Sequence, residues 1–194
     1  MEIYLIRHTT PAVETGTCYG QSDIDVAATF QQEAIAIKEH IPGTIQQVYC
    51  SPLQRCSKLA GFLFPSHNIQ WNDNLKEINC GDWEMQKWND IPKEESNKWM
   101  VDFVRTPFPN GENYLQLHQR VTTLFGVVHQ TQQSSAIITH GGVIRSILSY
   151  ITQTALQNSF NAFVLHYGCV VQLIKSADGF QYKMLHNLPT SEII

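Results

Sequence analysis

The stretch Ile3-Tyr4-Leu5-Ile6-Arg7-His8-Thr9-Thr10-Pro11 constrains this chain more than any other. Ile3 to Ile6 have the β-branched and aromatic character of a buried strand. The apolar run stops at Arg7-His8, and Pro11 and Gly16 break any regular element beyond it. A strand therefore delivers an arginine and a histidine to its C-terminal end. In open α/β sheets that edge is where ligands bind.

Strand and helix signals alternate along the rest of the chain. A loop from Thr9 to Asp25 leads to a helix predicted over Val26 to Ile41, where Phe30, Ala34, Ile37 and Ile41 recur at helical spacing and Pro42-Gly43 stops it. Gln46 to Cys50 reads as a strand. Ser51 reads as the N-cap, and Pro52 as the first residue, of a helix reaching Phe64. Asn68 to Trp71 is a short strand, and Met85 to Arg105 is polar, tryptophan-bearing and helical in patches. Glu112 to Gln130 is an amphipathic helix with Leu117, Val121, Leu124 and Val128 on one face. Ser135 to Thr139 is a strand ending in His140-Gly141-Gly142, Val143 to Ile151 a helix, and Ala155 to Asn161 a short helix. Cys169 to Lys175 and Phe180 to Leu185, joined by Asp178-Gly179, form a hairpin. This order predicts an α/β fold with a mostly parallel sheet, to which the hairpin adds one antiparallel strand.

Composition narrows the function classes. The 194 residues suit one domain, with or without an inserted cap, and 43% hydrophobic with 15% charged residues fits a globular soluble protein. The net charge is -4 and there is no Lys/Arg run, which argues against a nucleic-acid partner. No apolar run approaches the ~20 residues that span a bilayer, so no membrane partner is expected. No basic segment followed by an apolar stretch opens the chain, which predicts a cytoplasmic protein. Five scattered cysteines without C-x-x-C read as free thiols in a reducing compartment. No Cys or His pair has ligand spacing, so neither metal nor cofactor is expected. Apolar positions in the last helix and hairpin suit either a homodimer contact or the core.

Three predicted strand ends carry ionisable groups: Arg7-His8, Arg55 and His140, with Glu77 in the loop after a fourth. Each alone has an ordinary structural reading; together they describe a site. Phosphoryl transfer wants this set. A neutral imidazole at His8 can attack phosphorus and carry the group covalently. Arg7 and Arg55 would bind the non-bridging oxygens, hold the group in line and keep His8 unprotonated. His140 would donate to the same oxygens in the transition state. A carboxyl such as Glu77 would protonate the leaving oxygen and then deprotonate the attacking water.

Leu5-Ile6-Arg7-His8, Cys50-Ser51-Pro52-Leu53-Gln54-Arg55-Cys56, Glu77 before Gly81-Asp82-Trp83-Glu84, and Thr139-His140-Gly141-Gly142 resemble the signature blocks of the histidine phosphatase superfamily (phosphoglycerate mutase-like), in that family's order. The resemblance implies a three-layer α/β/α sandwich over residues 1–194, with a small helical insert at about 85–118 above the site. It implies His8 as phosphohistidine nucleophile, Arg7, Arg55 and His140 as the phosphate pocket, and Glu77 as proton donor. Gly141, Thr9, Tyr19 and Gln21 are the further candidate substrate contacts. The substrate is expected to be a small-molecule phosphomonoester. Within the family the chain is similar to the small alpha-ribazole phosphatases of cobalamin nucleotide-loop assembly, through its length, Cys80-Gly81-Asp82-Trp83-Glu84-Met85 and Pro109-Asn110-Gly111-Glu112-Asn113. The rivals are a broad-specificity phosphatase or sugar-phosphate mutase of the same chemistry and a non-catalytic phospholigand-binding module.

The chain departs from the family pattern at three places. Thr9 follows the nucleophile where glycine is usual, Glu14 stands where a phosphate-contacting Asn is common, and Val26-Ala27-Ala28 replaces Pro-Leu-Thr. A carboxylate at Glu14 would repel phosphate unless it turns away, so no contact is assigned to it. Asp82 and Glu84 rival Glu77 as the acid. Trp83, Trp88 and Trp99 either line a ring-binding pocket or pack the insert. Glu112 reads as support for a helix N-terminus, and Cys50 and Cys56 as inert packing.

Overall fold

The first strand divides its side chains between two cores. In β1 (Glu2–Arg7), Ile3 and Leu5 join one apolar cluster while Tyr4 and Ile6 join another. The alternation follows from the two-residue period of a strand, with both faces covered. On one face lie α1 (Phe30–Lys38) and α2 (Gln54–Leu63), through Ala34, Ile37, Leu59 and Ala60. On the other lie α4 (Tyr114–Gln130) and α5 (Gly141–Thr152), through Val121, Phe125, Ile144 and Ile147. The computed structural model describes residues 1–177, 179–189 and 191.

The sheet between these layers has the order β3-β2-β4-β1-β5-β6, with β2 (Gln47–Cys50), β3 (Ile69–Trp71), β4 (Ser135–Thr139), β5 (Val170–Ser176) and β6 (Gly179–His186). Pairs β1–β4, β2–β4 and β2–β3 are parallel, β5 is antiparallel to β1, and β6 is antiparallel to β5. Only β5 therefore runs against the other strands, as the α/β reading expected. The hairpin turn assigned to Asp178-Gly179 falls partly outside the described residues, at Asp178.

Strand limits agree with the sequence more closely than helix starts do. The helix predicted from Val26 begins at Phe30, because Val26 bridges to Pro11 and Ala27 N donates to the Thr10 carbonyl. It ends at Lys38, short of Pro42. Ser51 does not cap α2, whose N-cap is Leu53. The Gln54 N–H is instead satisfied by Asp23 Oδ1 at 2.7 Å, from a loop 31 residues away. Asn113 and Gln116 form a reciprocal capping box on α4, so that helix starts after Glu112 rather than at it. α5 begins two residues early, at Gly141. The helix expected over Ala155 to Asn161 is a 3-10 turn followed by the short α6 (Ser159–Ala162). The 85–113 region holds α3 (Lys93–Val101) and packs through Ile91 and Phe108 into a third cluster with Cys18, Cys80 and Trp83. The upper limit of 118 expected for the insert overlaps α4, whose Leu117 belongs to the main core.

Candidate active site

Three parallel strands deliver the site. Arg7 pairs with Thr139, and Cys50 with Ile138, so His8, His140 and Ser51 leave adjacent strands together. The backbone ladder continues into them: His8 N donates to the Thr139 carbonyl and Ser51 N to the Ile138 carbonyl, each at 3.0 Å.

His8 is only 2% exposed. Its Nδ1 lies 2.7 Å from the Thr9 carbonyl oxygen. A carbonyl only accepts, so Nδ1 carries the proton and Nε2 the lone pair. Burial first, then the charges of Arg55 and Arg7, hold its pKa well below the ordinary histidine value. His140 is fully buried and meets His8 edge-on, with ring centroids 5.1 Å apart. Its Nε2 lies 2.8 Å from Ser51 Oγ and 3.5 Å from Cys56 Sγ. Burial, Arg55 and His8 depress its pKa as well.

The two arginines are held from behind. Arg55, fully buried, donates its terminal nitrogens to the Ser22 and Gly20 carbonyls at 2.8 and 2.6 Å. Arg7 donates Nη1 to the Leu165 carbonyl, and its guanidinium sits 4.1 Å over the Tyr167 ring. In both, the buried Nε has no partner among the described residues. An unmet buried N–H is costly, more so on a charged group. Two of them beside a neutral imidazole make a seat for an oxyanion.

Glu77 is fixed by backbone donors. Its Oε2 accepts from Gly142 N and its Oε1 from Ile78 N, each at 2.9 Å. A Cβ at Gly142 would lie 2.3 Å from Glu77 Oε1, so this approach requires glycine. Arg120 clasps the loop from below, donating to the carbonyls of Asn74, Lys76 and Glu77 and pairing with Glu112 at 2.8 Å. Glu112 is thus the anchor of Arg120 rather than support for the start of α4. The rival carboxylates are committed elsewhere. Glu84 accepts from the backbone N–H groups of Gly20, Gln21, Ser22 and Cys80, and Asp82 accepts from Asn110.

A cavity of about 680 Å³ opens on Arg7, His8 and Glu77, while Arg55 and His140 are fully buried and not among its lining residues. Arg7, His8, Tyr19, Glu77, Gly142 and Arg145 line it, and Trp88, Trp99, Phe103, Phe108, Tyr114 and Phe160 supply aromatic walls. The tryptophans divide: Trp83 is buried in the insert core, while Trp88 and Trp99 both pack there and face the cavity. Tyr19 lines the cavity and shares a 2.6 Å hydrogen bond with the Tyr167 hydroxyl. Three expected contacts are not among the residues lining the cavity. Gln21 is not on the cavity wall; its Nε2 donates to the Glu77 carbonyl at 3.0 Å. Thr9 is fully buried and serves through its carbonyl, and Gly141 packs beside the Arg7 guanidinium. Glu14 turns outward to an exposed ion pair with Lys87. Burial pushes the Cys56 thiol up to about 12 and Cys50 well above its ordinary value, as inert thiols should be. The sequence reading missed Ser51 as a partner of His140, Tyr167 over Arg7, and Arg145. The signal for Arg145 was its place one turn beyond Gly141 on α5. Among the described residues, no group of three or more His, Cys, Asp or Glu is placed to hold a metal ion, and no helix is long and apolar enough to cross a membrane.

Comparison with known proteins adds to this geometry. The sequence profile of the histidine phosphatase superfamily (branch 1) matches residues 3–188. The adenosylcobalamin/alpha-ribazole phosphatase of Escherichia coli is 26% identical over 158 residues, covering 77% of this chain and 78% of that one. The alpha-ribazole phosphatase structure from Shigella flexneri superposes with a TM-score of 0.86 at 22% identity, over 95% of this chain and 96% of that one. The phosphoserine phosphatase of Entamoeba histolytica, in complex with 3-phosphoglyceric acid, gives 0.83 at 18% identity over 100% and 99%. At these identities the solved structures speak for the fold.

Proposed function

The chain belongs to the histidine phosphatase superfamily, and from that premise we propose that it hydrolyses phosphomonoesters through a phosphohistidine at His8, with alpha-ribazole 5'-phosphate as its substrate. The observation that carries this reading is the pair of buried Nε–H groups of Arg7 and Arg55 without an acceptor, on arginines whose charges act on a neutral His8.

In the first half-reaction His8 Nε2 forms a bond to phosphorus as the P–O ester bond breaks, and Glu77 gives its proton to the departing oxygen. The arginine Nε–H groups hold two non-bridging oxygens, and His140 completes the wall around them. In the second half water attacks phosphorus, its proton passes to Glu77, the N–P bond breaks and inorganic phosphate leaves. No step needs a metal. The alpha-ribazole assignment rests on the relatives and on a cavity large and aromatic enough for a heteroaromatic nucleoside.

The test is phosphate release in EDTA from alpha-ribazole 5'-phosphate, phosphoserine, 3-phosphoglycerate and sugar phosphates, with acid-labile, base-stable label trapped on His8. Preference for alpha-ribazole 5'-phosphate is expected. Slow, indiscriminate release would discard the substrate, and no release would discard the enzyme.

A further inference from the structure

Arg145 lines the cavity wall together with Arg7, and lies outside the set assigned to the phosphoryl group. It comes from the first turns of α5. Its Nε donates to the Phe163 carbonyl at 3.1 Å and its guanidinium lies 4.5 Å over the Phe160 ring. These two contacts fix the plane of the group. They leave its two terminal nitrogens with no acceptor among the described residues. One of them comes within 3.4 Å of the position a Cβ on Gly141 would take, and the Arg7 guanidinium carbon within 3.3 Å of the same point. The free donors of Arg145 therefore sit next to the phosphate seat, within reach of atoms close to the scissile ester.

We infer that Arg145 is a specificity-determining residue that donates to hydroxyl oxygens on the leaving group, selecting a leaving group with a hydroxylated edge and a planar apolar edge. This deepens, and rests on, the phosphomonoester hydrolase reading. A hydroxyl fits better than a second anion for two reasons. The neighbouring cavity-lining polar groups, Gln157 and Asn161, are neutral amides suited to hydroxyls. The remaining lining, Trp88, Trp99, Phe103 and Phe108, suits a flat apolar ring, and a small phospho-acid would leave most of the 680 Å³ unfilled.

The test compares wild type, R145M and R145K on three probes: alpha-ribazole 5'-phosphate, 1-naphthyl phosphate and phosphoserine. R145M should lose about 10- to 100-fold in kcat/KM on the hydroxylated ester, mostly through KM, as expected for a lost hydrogen bond to a charged donor. Its loss on the naphthyl ester should be at least tenfold smaller, and R145K should recover part of the difference. Equal losses on both esters would place Arg145 on the phosphoryl group and overturn the inference. So would no loss on either, or a loss largest on phosphoserine. Titration of the dephosphorylated nucleoside into wild type and R145M reads the same contact without turnover, and equal affinities would refute it. A wild type that hydrolyses none of the three removes the phosphatase reading itself. A variant that fails to melt cooperatively is replaced by R145K alone, read against wild type with the same probes.

Discussion

The strand-end half of the site and the insert above it are built by opposite means. At the sheet edge the groups are polar, buried or half-buried, and mostly tied to backbone: His8 to the Thr9 carbonyl, Glu77 to two N–H groups, Arg55 to two carbonyls. In the insert the contacts are apolar and aromatic, with Trp99 against Phe108 at 4.7 Å and against Trp83 at 6.0 Å, and α3 has no buried residue of its own. Hydrogen bonds demand fixed distance and angle, whereas ring packing tolerates exchange. On the proposed reading, chemistry belongs to the edge, while the insert supplies aromatic wall for the leaving group beside Arg145 of α5. Substitutions in the two halves should leave different kinetic signatures.

His8→Ala should produce the largest effect. Removing the nucleophile should cut phosphate release by at least about 10⁴-fold on every ester, whatever its leaving group. Residual wild-type turnover in that variant would end the edge-chemistry account. Glu77→Gln comes next. Loss should be about 10²- to 10⁴-fold on alkyl esters, whose leaving oxygen needs a proton, and clearly smaller on p-nitrophenyl phosphate, whose leaving group does not. Equal loss on both would mean that Glu77 only positions Gly142 and the start of α5.

The same contrast governs what could be read from the sequence. β4 was legible to the residue and β1 nearly so, because both are apolar runs covered on both faces. The placement of Arg7, His8, Arg55 and His140 at strand ends or turns was legible from the sequence, whereas Glu77 was singled out through the family resemblance. Helix starts were not. Asp23 satisfies α2 from across the loop, and the Pro11–Val26 bridge consumes residues that periodicity assigned to α1. Neither partner is local. Ser51 looked like a cap, since a serine before proline is usually one; only the adjacency of β2 and β4 turns it toward His140. Tyr167 and Gln21 likewise take their roles from long-range contacts.

The buried histidines at the edge make a third prediction, in pH. His8 and His140 both have folded pKa values below the ordinary 6.5. Between the two values the unfolded chain binds more protons than the folded one, so stability rises with pH there and is lost as pH falls below about 6.5. Above that it should be flat. Each histidine contributes up to about 1.4 kcal/mol per pH unit in that window. Urea unfolding at pH 7.5, 6.5 and 5.5 checks the slope, and His8→Ala should reduce it by about one histidine's share. An unchanged slope in that variant would mean that His8 is protonated in the folded protein.

Trp99→Ala should give the smallest effect and the most selective one. The side chain contacts Trp83, Trp88, Phe103 and Phe108 and lines the cavity, but it has no ring contact with the groups proposed to hold phosphate. Truncation removes apolar wall and one stacking face, which aromatic pair energies put at about 0.5–1.5 kcal/mol beyond area. The expected result is about a tenfold rise in KM for a bulky aromatic ester, with a much smaller change for a compact one such as glycerol phosphate. Because the loss is in ground-state and transition-state binding alike, kcat should move little. A fall in kcat shared by both esters would show that the insert reaches through Ile78 and Cys80 to the Glu77 loop, and the division between edge and cap would then fail at that loop.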